Sequence, residues 1–370
     1  MSIHFHPLVI ADLQRETEQC VSIAFAVPEA LSDVFRFQAG QNITLRHYVD
    51  GQEIRRSYSI CSTPDEKELR IAVKEVEGGV FSSFANRQLR IGDTVDVLPP
   101  TGRFSIETNP NAGRCYLAFA AGSGITPVFS LIKNILATEP LSEVSLVYGN
   151  KSRDTIIFRE AVEGLKNRYP QRFRVLHVLS RERLDLPVQQ GRINADKCRE
   201  LGKGWIDYSQ IDHVFLCGPE EMIFDLRDFL LQEKLSPTAI HFELFHSPGQ
   251  KTNAGTLSST GAGNTTKATR ASSPASAPAT VSIRLDGRTI NFDLAYDGNS
   301  ILDAALAAGA DLPYACKGGV CATCRARLVE GEVSMDQNYA LVPEELDAGF
   351  ILTCQSHPRS PAVTIDFDQK

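Results

Sequence analysis

The stretch Cys316-Lys317-Gly318-Gly319-Val320-Cys321-Ala322-Thr323-Cys324 decides the fold of the C-terminal part of this chain. Its three cysteines follow C-x4-C-x2-C spacing, and Cys354 adds a fourth thiol farther along. The small residues between them let the backbone wrap closely and direct N–H groups at sulfur. A [2Fe–2S] cluster needs four thiolates around two irons, and this is a known spacing for it. The stretch therefore predicts a cluster held by Cys316, Cys321, Cys324 and Cys354.

A zinc site and structural thiols could also account for these cysteines. Structural zinc sites favour two paired C-x2-C arms, whereas Cys354 has no cysteine near it in the sequence. A Rieske centre needs two histidine ligands, and His357 is the only histidine in residues 281–370. The spacing favours the [2Fe–2S] cluster over these sites.

A change in composition separates this unit from the rest of the chain. In residues 247–280, 27 of 34 residues are Ala, Gly, Ser, Thr or Pro, and none is acidic. Such a segment cannot build a core, and it predicts a flexible linker spanning on the order of 30 Å. An irregular surface loop is the other possibility. Residues 281–370 carry 7 Lys or Arg against 13 Asp or Glu, so most of the excess acidity lies here.

The composition of the whole chain excludes several classes of protein. Its 370 residues carry a net charge of −7, which gives no electrostatic footprint for nucleic-acid binding. Glycines and a proline interrupt the longest uncharged run, residues 115–132, so we expect neither a membrane span nor a membrane partner. The N-terminus lacks signal-peptide features, and five of the nine cysteines are scattered singly. These features predict a reducing, cytoplasmic location.

The chain before the linker has two styles of sequence. In residues 1–108, short alternating runs such as Val21, Ile23, Phe25 and Val27 predict half-buried strands of an antiparallel β-barrel with one helix near residues 80–89. In residues 109–246, strands alternate with helical stretches, one of them expected over Thr155–Arg168, which predicts a doubly wound α/β domain with a parallel sheet. The predicted domains are therefore 1–108, 109–246 and 281–370, with the linker at 247–280.

Four motifs lie where these elements meet. Arg56-Ser57-Tyr58-Ser59 stands at a strand end, and Gly79-Val80-Phe81-Ser82 begins a helix, where free N–H groups suit a diphosphate. Gly122-Ser123-Gly124-Ile125-Thr126-Pro127 and Cys217-Gly218-Pro219-Glu220-Glu221-Met222 each join a strand to a helix. A glycine turn between strand and helix is typical of dinucleotide binding, although Pro127 replaces the third glycine of the usual fingerprint.

Residues 281–370, with Leu312-Pro313-Tyr314-Ala315-Cys316, resemble a plant-type ferredoxin, which implies an α+β β-grasp domain. The first two motifs resemble the flavin domain of the ferredoxin–NADP reductase family, and the last two resemble its nucleotide domain. The whole chain resembles the reductases of multicomponent oxygenases, in the order flavin, nucleotide, ferredoxin. Three further stretches support that likeness: Glu77-Gly78-Gly79, Tyr148-Gly149-Asn150 and Asp366-Phe367-Asp368.

The resemblance implies roles at a flavin site. Arg56 would pair with the diphosphate of FAD, Tyr58 would stack on the isoalloxazine, and Ser59 would hydrogen-bond near flavin N5. Gly79 and Ser82 would hold the diphosphate from the other side. Lys74 and Phe81 are candidates for ribityl or adenine contacts, although a solvated face explains Lys74 equally well.

It also implies roles at a nucleotide site. The nucleotide would lie against Gly122, Gly124, Thr126, Pro127, Gly218, Pro219 and Met222. Cys217 would lie beside the nicotinamide, and Glu243 and Phe245, an E-x-F strand end, would lie near the flavin. Ser180-Arg181 would hold a 2′-phosphate, which favours NADPH over NADH. Each of these residues also has an alternative interpretation. Cys217 could be a buried strand thiol, Glu243 an incidental carboxylate, and Ser180-Arg181 a capping serine with a surface arginine.

The implied function is electron transfer from NADPH through FAD and a [2Fe–2S] cluster to an oxygenase or epoxidase component. Ser59, Cys217 and Glu243 would be the catalytic residues. Two alternatives remain: the reductase of another mono- or dioxygenase, and a non-catalytic redox sensor that holds flavin and cluster.

Overall fold

A computed structural model describes residues 4–49, 51–245 and 278–369. These residues fall into two compact units, one ending at Phe245 and one in the C-terminal part of the chain. Residues 247–277 of the predicted linker lie outside the described residues. Its last two residues, Ala279 and Thr280, belong to a strand in which Ala279 is fully buried. Within the described ranges, no helix is both long enough and apolar enough to cross a membrane.

The N-terminal module is the predicted antiparallel barrel. Its elements are β1 (His6–Thr17), β2 (Cys20–Ala26), β3 (Asn42–Val49), β4 (Gln52–Ser59), β5 (Leu69–Lys74), α1 (Val80–Arg87) and β6 (Thr94–Val97). The strand order is β4-β3-β6-β1-β2-β5, and every pairing is antiparallel. An antiparallel bridge between Ile60 and Ile71 joins the two edges, which closes the sheet into a barrel.

Strand β2 differs from its half-buried prediction, because both of its faces are covered. Ile23 packs into the barrel core, while Ser22 on the outer face is also fully buried. Cys20 and Ala72 on the outside of the barrel join the hydrophobic core of the second module. Apolar packing therefore joins the barrel to that module. The alternation of apolar and polar residues along a single strand could not show this contact.

The second module is the predicted doubly wound domain. Its elements are β7 (Cys115–Ala121), α2 (Ile125–Thr138), β8 (Glu143–Asn150), α3 (Arg159–Arg168), β9 (Phe173–Leu179), α4 (Ala195–Leu201), β10 (His213–Gly218), α5 (Glu220–Gln232) and β11 (Ile240–Leu244). The strands run parallel in the order β11-β10-β7-β8-β9. The order reverses beside β7, and ligands of such sheets bind at the carboxyl ends of the strands there.

Helix α3 begins later than the sequence suggested. The helical stretch was expected from Thr155, whereas the helix starts at Arg159 because Phe158 adopts a left-handed conformation with φ 58°. Ile156, Ile157 and Phe158 are all buried in the core of this module. Anchoring these apolar side chains outweighs the helical preference of the segment.

The C-terminal unit has the predicted α+β architecture. Its elements are β12 (Ala279–Leu285), β13 (Arg288–Leu294), α6 (Ile301–Ala307), β14 (Arg325–Glu330), β15 (Val333–Met335), α7 (Pro343–Asp347), β16 (Phe350–Leu352), β17 (Ser356–Pro358) and β18 (Ala362–Asp366). The mixed sheet has the order β13-β12-β18-β14-β16, with β12 parallel to β18. Ser300 caps α6 by accepting from the Asp303 N–H.

Candidate functional site

The four predicted cluster cysteines come together in the C-terminal unit. The Sγ atoms of Cys316 and Cys321 lie 3.1 Å apart, and the thiols of Cys316 and Cys324 are near enough to Cys354 to raise its pKa. Three thiols come from the loop before β14, and Cys354 comes from the chain after β16. The Cys321 thiol donates to Cys316 and, with the nearby Cys354 thiol, holds the pKa of Cys316 well below the usual value. The fold thus brings together cysteines that are up to 38 positions apart.

The surroundings of these thiols fit a [2Fe–2S] cluster. The Gly318 N–H donates to Cys316 Sγ at 3.3 Å. The buried Thr323 hydroxyl lies beside Cys321 but has no partner among the described residues that meets hydrogen-bond geometry, so it can serve a cluster sulfur. Gly319 has φ +73°, and a Cβ there would lie 2.9 Å from the Gln337 carbonyl oxygen. Among the described residues, no group of three or more His, Cys, Asp or Glu side chains is arranged to hold a single metal ion. A [2Fe–2S] cluster does not need such a group, because its two irons share the four thiolates.

The three predicted catalytic residues meet where the barrel joins the second module. Ser59 Oγ donates to Glu243 Oε2 at 2.8 Å, and Asn42 Nδ2 lies 3.5 Å from Glu243 Oε1. Asn42 and Ser59 are paired across β3 and β4, while Glu243 is paired with Cys217 across β11 and β10. Residues from both modules therefore form one hydrogen-bonded group.

The environment of this group sets its protonation. Burial raises the pKa of Glu243 to about 7, although the hydrogen bonds from Ser59 and Asn42 act in the opposite direction. Burial, and then the charge of Glu243, raise the pKa of Cys217 well above its usual value. Burial also raises the pKa of Tyr58. Cys217 is thus a neutral thiol at neutral pH, and Glu243 can take up or release a proton there.

The start of α1 forms a compact turn next to the Arg-x-Tyr-Ser strand. Ser82 Oγ donates to the Gly79 carbonyl at 3.2 Å and accepts from the Val76 N–H at 3.1 Å. A Cβ on Gly79 would lie 2.4 Å from that hydroxyl. The Ser82 hydroxyl therefore shapes the turn, and the helix N–H groups are the donors best placed for a diphosphate.

Two other predicted flavin contacts lie in different surroundings. The side chain of Phe81 is 1% exposed and packs in the barrel core against Tyr58, so the structure leaves its backbone rather than its ring for a ligand. Arg56 is half-buried and donates to the Arg55 carbonyl at 2.7 Å. No carboxylate is recorded as its ion-pair partner among the described residues, so its guanidinium can face a phosphate.

The predicted nucleotide loop, residues 122–127, approaches β10 closely. A Cβ on Gly124 would lie 2.1 Å from the Cys217 carbonyl oxygen, and one on Gly218 would lie 2.6 Å from Met222 Cε. Thr126 Oγ1 donates to the Ser123 carbonyl at 3.0 Å. Only glycine at position 124 allows this approach, and the loop forms a cradle at the point where the strand order reverses.

Basic residues flank that cradle. The Arg181 N–H donates to the Lys151 carbonyl at 2.8 Å, so these two exposed residues stand side by side after β9 and β8. The Lys74 ammonium lies 3.4 Å from the position that a Cβ on Gly122 would take. Burial, and then the charge of Lys151, lower the pKa of Lys74. The structure places Lys74 at the nucleotide loop, whereas we predicted ribityl or adenine contacts for it.

Two buried amides at these sites were not predicted. Asn42 contacts Glu243 through its nitrogen, while its Oδ1 has no hydrogen-bond partner among the described residues. Within the part of the chain that the structure describes, neither amide atom of Asn150, at the end of β8, meets hydrogen-bond geometry with a partner. The sequence does place Asn150 in the Tyr148-Gly149-Asn150 stretch, but that pattern assigns it no role.

Comparison with protein families agrees with this division of the chain. Residues 8–106 match the oxidoreductase FAD-binding domain, residues 119–228 match the oxidoreductase NAD-binding domain, and residues 283–359 match the 2Fe-2S iron-sulfur cluster binding domain. These matches confirm the resemblance to a flavin, a nucleotide and a ferredoxin unit in that order, and the bound groups are FAD, a pyridine nucleotide and a [2Fe–2S] cluster.

Known proteins match nearly the whole length of the chain. One subunit of the 1,2-phenylacetyl-CoA epoxidase from Escherichia coli is 42% identical, over 99% of this chain and 98% of that protein. The ferredoxin reductase component of 3-ketosteroid-9-alpha-monooxygenase from Rhodococcus rhodochrous is 32% identical, over 97% and 96%. The structure of phthalate dioxygenase reductase shares the fold, with a TM-score of 0.58, 23% identity and 98% of each chain covered. The chain belongs to the family of flavin- and [2Fe–2S]-containing reductase components of multicomponent oxygenases.

Proposed function

We propose that this chain is the reductase that supplies electrons to a di-iron epoxidase acting on phenylacetyl-CoA. The observation that carries the proposal is the 42% identity to the Escherichia coli epoxidase protein across both full lengths. The relatives from 3-ketosteroid monooxygenases are less similar, at 30–34% identity.

We further propose that the electron donor is NADPH. The 2′-phosphate that distinguishes NADPH from NADH is a dianion and needs cationic partners. Ser180 and Arg181 follow β9, and Lys151 stands beside Arg181 after β8. Neither cation has an ion-pair partner recorded among the described residues. Arg181→Ala should therefore raise the KM for NADPH and leave the KM for NADH nearly unchanged.

The proposed site residues divide the work between binding and proton control. When bound, the cofactors supply hydride transfer between nicotinamide and flavin and one-electron transfer at the cluster. Gly124 and Gly218 admit the nucleotide next to Cys217. Ser59 and Glu243 hold a proton at the flavin side. The four cysteines hold the cluster.

Reconstitution with purified oxygenase components tests this function. The chain, loaded with FAD and cluster, is mixed with the oxygenase component of a phenylacetyl-CoA epoxidase and NADPH. Consumption of NADPH that depends on phenylacetyl-CoA supports the proposal. Coupling only to a 3-ketosteroid monooxygenase would assign the chain to that system instead. Rapid NADPH-driven reduction of cytochrome c, measured in parallel, excludes the role of a redox sensor.

A further inference from the structure

We infer that the side chain of Asn150 hydrogen-bonds to the ribose in the adenosine half of the nucleotide. This inference rests on the proposed nucleotide site. Asn150 is buried, with only 8% of the residue exposed. Neither its Nδ2 nor its Oδ1 meets hydrogen-bond geometry with a partner in the described residues. A buried amide without partners costs free energy, so a ligand that supplies them is favoured.

The position of Asn150 identifies the part of the ligand it faces. It ends β8, the strand between β7, which leads into the nucleotide loop, and β9, which leads into Ser180 and Arg181. Its carbonyl accepts from the Ser180 N–H at 3.0 Å. Asn150 therefore stands between the proposed diphosphate cradle and the proposed 2′-phosphate site.

Tyr148, two positions before Asn150 on β8, shows which face of the sheet Asn150 occupies. Residues two apart on a strand share a face, so Asn150 lies on the same face of the sheet as Tyr148. The Tyr148 hydroxyl lies 3.1 Å from the Gly122 carbonyl and 3.3 Å from the Ile157 carbonyl. The Asn150 amide lies near this hydroxyl and acts to lower the Tyr148 pKa, against the larger effect of burial. Asn150 therefore lies on the face of the sheet that meets the first glycine of the nucleotide loop.

The chemistry of an amide matches a ribose. Its oxygen accepts a hydrogen bond and its nitrogen donates two, while the hydroxyls of a ribose can both donate and accept. The adenosine ribose is the group that joins the diphosphate of the nucleotide to its 2′-phosphate. An aspartate at this position would repel the phosphates, whereas a neutral amide does not.

Ligand binding to the full-length, FAD-loaded chain tests the inference. For Asn150→Ala, we expect the Kd of NADP⁺ and that of adenosine 2′,5′-bisphosphate each to rise about tenfold, the value for one net hydrogen bond. The rate constant for flavin reduction by reduced nicotinamide mononucleotide, which lacks the adenosine half, should stay unchanged. Asn150→Ser, which keeps a smaller hydrogen-bonding group, should show a weaker effect and serves as well if the alanine variant folds poorly.

Ser145→Ala is the matched control, because Ser145 is another buried polar residue of β8 and its hydroxyl accepts from Arg174 at 3.1 Å. This variant should leave both Kd values unchanged. Unchanged Kd values in both Asn150 variants would overturn the inference while leaving the proposed function intact. The inference would also be overturned if Asn150→Ala lowered the rate constant with reduced nicotinamide mononucleotide as strongly as it weakened NADP⁺ binding. Failure of the unaltered chain to bind NADP⁺ would instead contradict the proposed function.

Discussion

At the scale of single residues, Glu243 links the barrel to the nucleotide-binding module. Its carboxylate accepts from Ser59 of the barrel, and its strand neighbour is Cys217. Burial raises its pKa to about 7, so the group changes protonation near neutral pH. A titrating carboxyl at this place can couple proton uptake to electron transfer at the flavin.

Replacing Ser59 should move this titration. We expect an inflection near pH 7 in the rate of nucleotide-driven flavin reduction, and Glu243→Gln should abolish it. Ser59→Ala removes a hydrogen bond that favours the carboxylate, so the inflection should move upward by about one pH unit. Stopped-flow measurements across pH 5.5–9 check this. Ser57→Ala, which removes a hydroxyl bonded to Thr44 instead, should leave the inflection in place. An unmoved inflection in Ser59→Ala would contradict the assignment to Glu243.

At the scale of secondary-structure elements, the approach of the nucleotide loop to β10 depends on Gly124. Gly124→Ala would place a methyl group 2.1 Å from the Cys217 carbonyl oxygen, and backbone on either side must then separate. We expect the Kd for NADP⁺ to rise at least roughly tenfold and the melting temperature to fall. Calorimetric titration and thermal unfolding measure the two effects.

Gly164 provides the control for that substitution. It lies within α3, and a Cβ there would meet no atom within 4 Å. Gly164→Ala should therefore leave nucleotide binding unchanged and stabilise the chain by up to about 1 kcal/mol. Normal binding by Gly124→Ala would show that α2 can move without harm to the site.

The histidine pair on β10 and β11 makes stability depend on pH. His213 Nδ1 and His241 Nε2 lie 3.2 Å apart, and His241 stacks on Phe215. Burial, and then His213, lower the pKa of His241 to about 4. As the pH falls below 6.5, the unfolded chain binds a proton at His241 before the folded chain does. Stability should therefore fall between pH 6.5 and 4 and be fully present above that range.

His241→Phe removes this titration and keeps an aromatic ring against Phe215. Between pH 7.5 and 5, the unaltered chain should lose about 2 kcal/mol more of its free energy of unfolding than the variant. Urea unfolding at the two pH values measures the difference. Equal losses would mean that His241 does not carry the effect.

At the scale of the whole molecule, the two compact units have separate hydrophobic cores. One unit contains the barrel and the doubly wound sheet, and the other contains the cluster cysteines. Flavin reduction and cluster reduction should therefore be separable by substitution.

Cys354→Ala tests this separation. The variant should lose the visible absorbance of the cluster and keep NADPH-driven reduction of ferricyanide, because the larger unit retains its own core. Reduction of cytochrome c should fall by roughly tenfold or more if electrons leave through the cluster. Cys198→Ala, which removes a buried thiol of the larger unit, should keep the cluster absorbance. Loss of ferricyanide reduction in Cys354→Ala would show that the two units depend on each other.

Most of the architecture could be predicted because local patterns carry it. Hydrophobic periodicity indicated the antiparallel barrel and the alternation of strands and helices in the second module, and the cysteine spacing indicated the cluster. The start of α3 was missed because Phe158 takes its conformation from core packing rather than from helix preference. The burial of both faces of β2 was missed because the second face meets another module.

The sequence alone indicated which groups this chain binds. The C-x4-C-x2-C spacing and the glycine turns have local physical reasons, and Arg-x-Tyr-Ser carries a resemblance to a flavin-binding family. Only the tertiary structure decided how residues far apart act together. Ser59 and Glu243 are 184 positions apart yet hydrogen-bonded. The amides of Asn42 and Asn150 become candidate binding groups only because the fold buries them beside the flavin and nucleotide sites. Burial and hydrogen-bond partners follow from packing between elements, and no single segment of sequence records them.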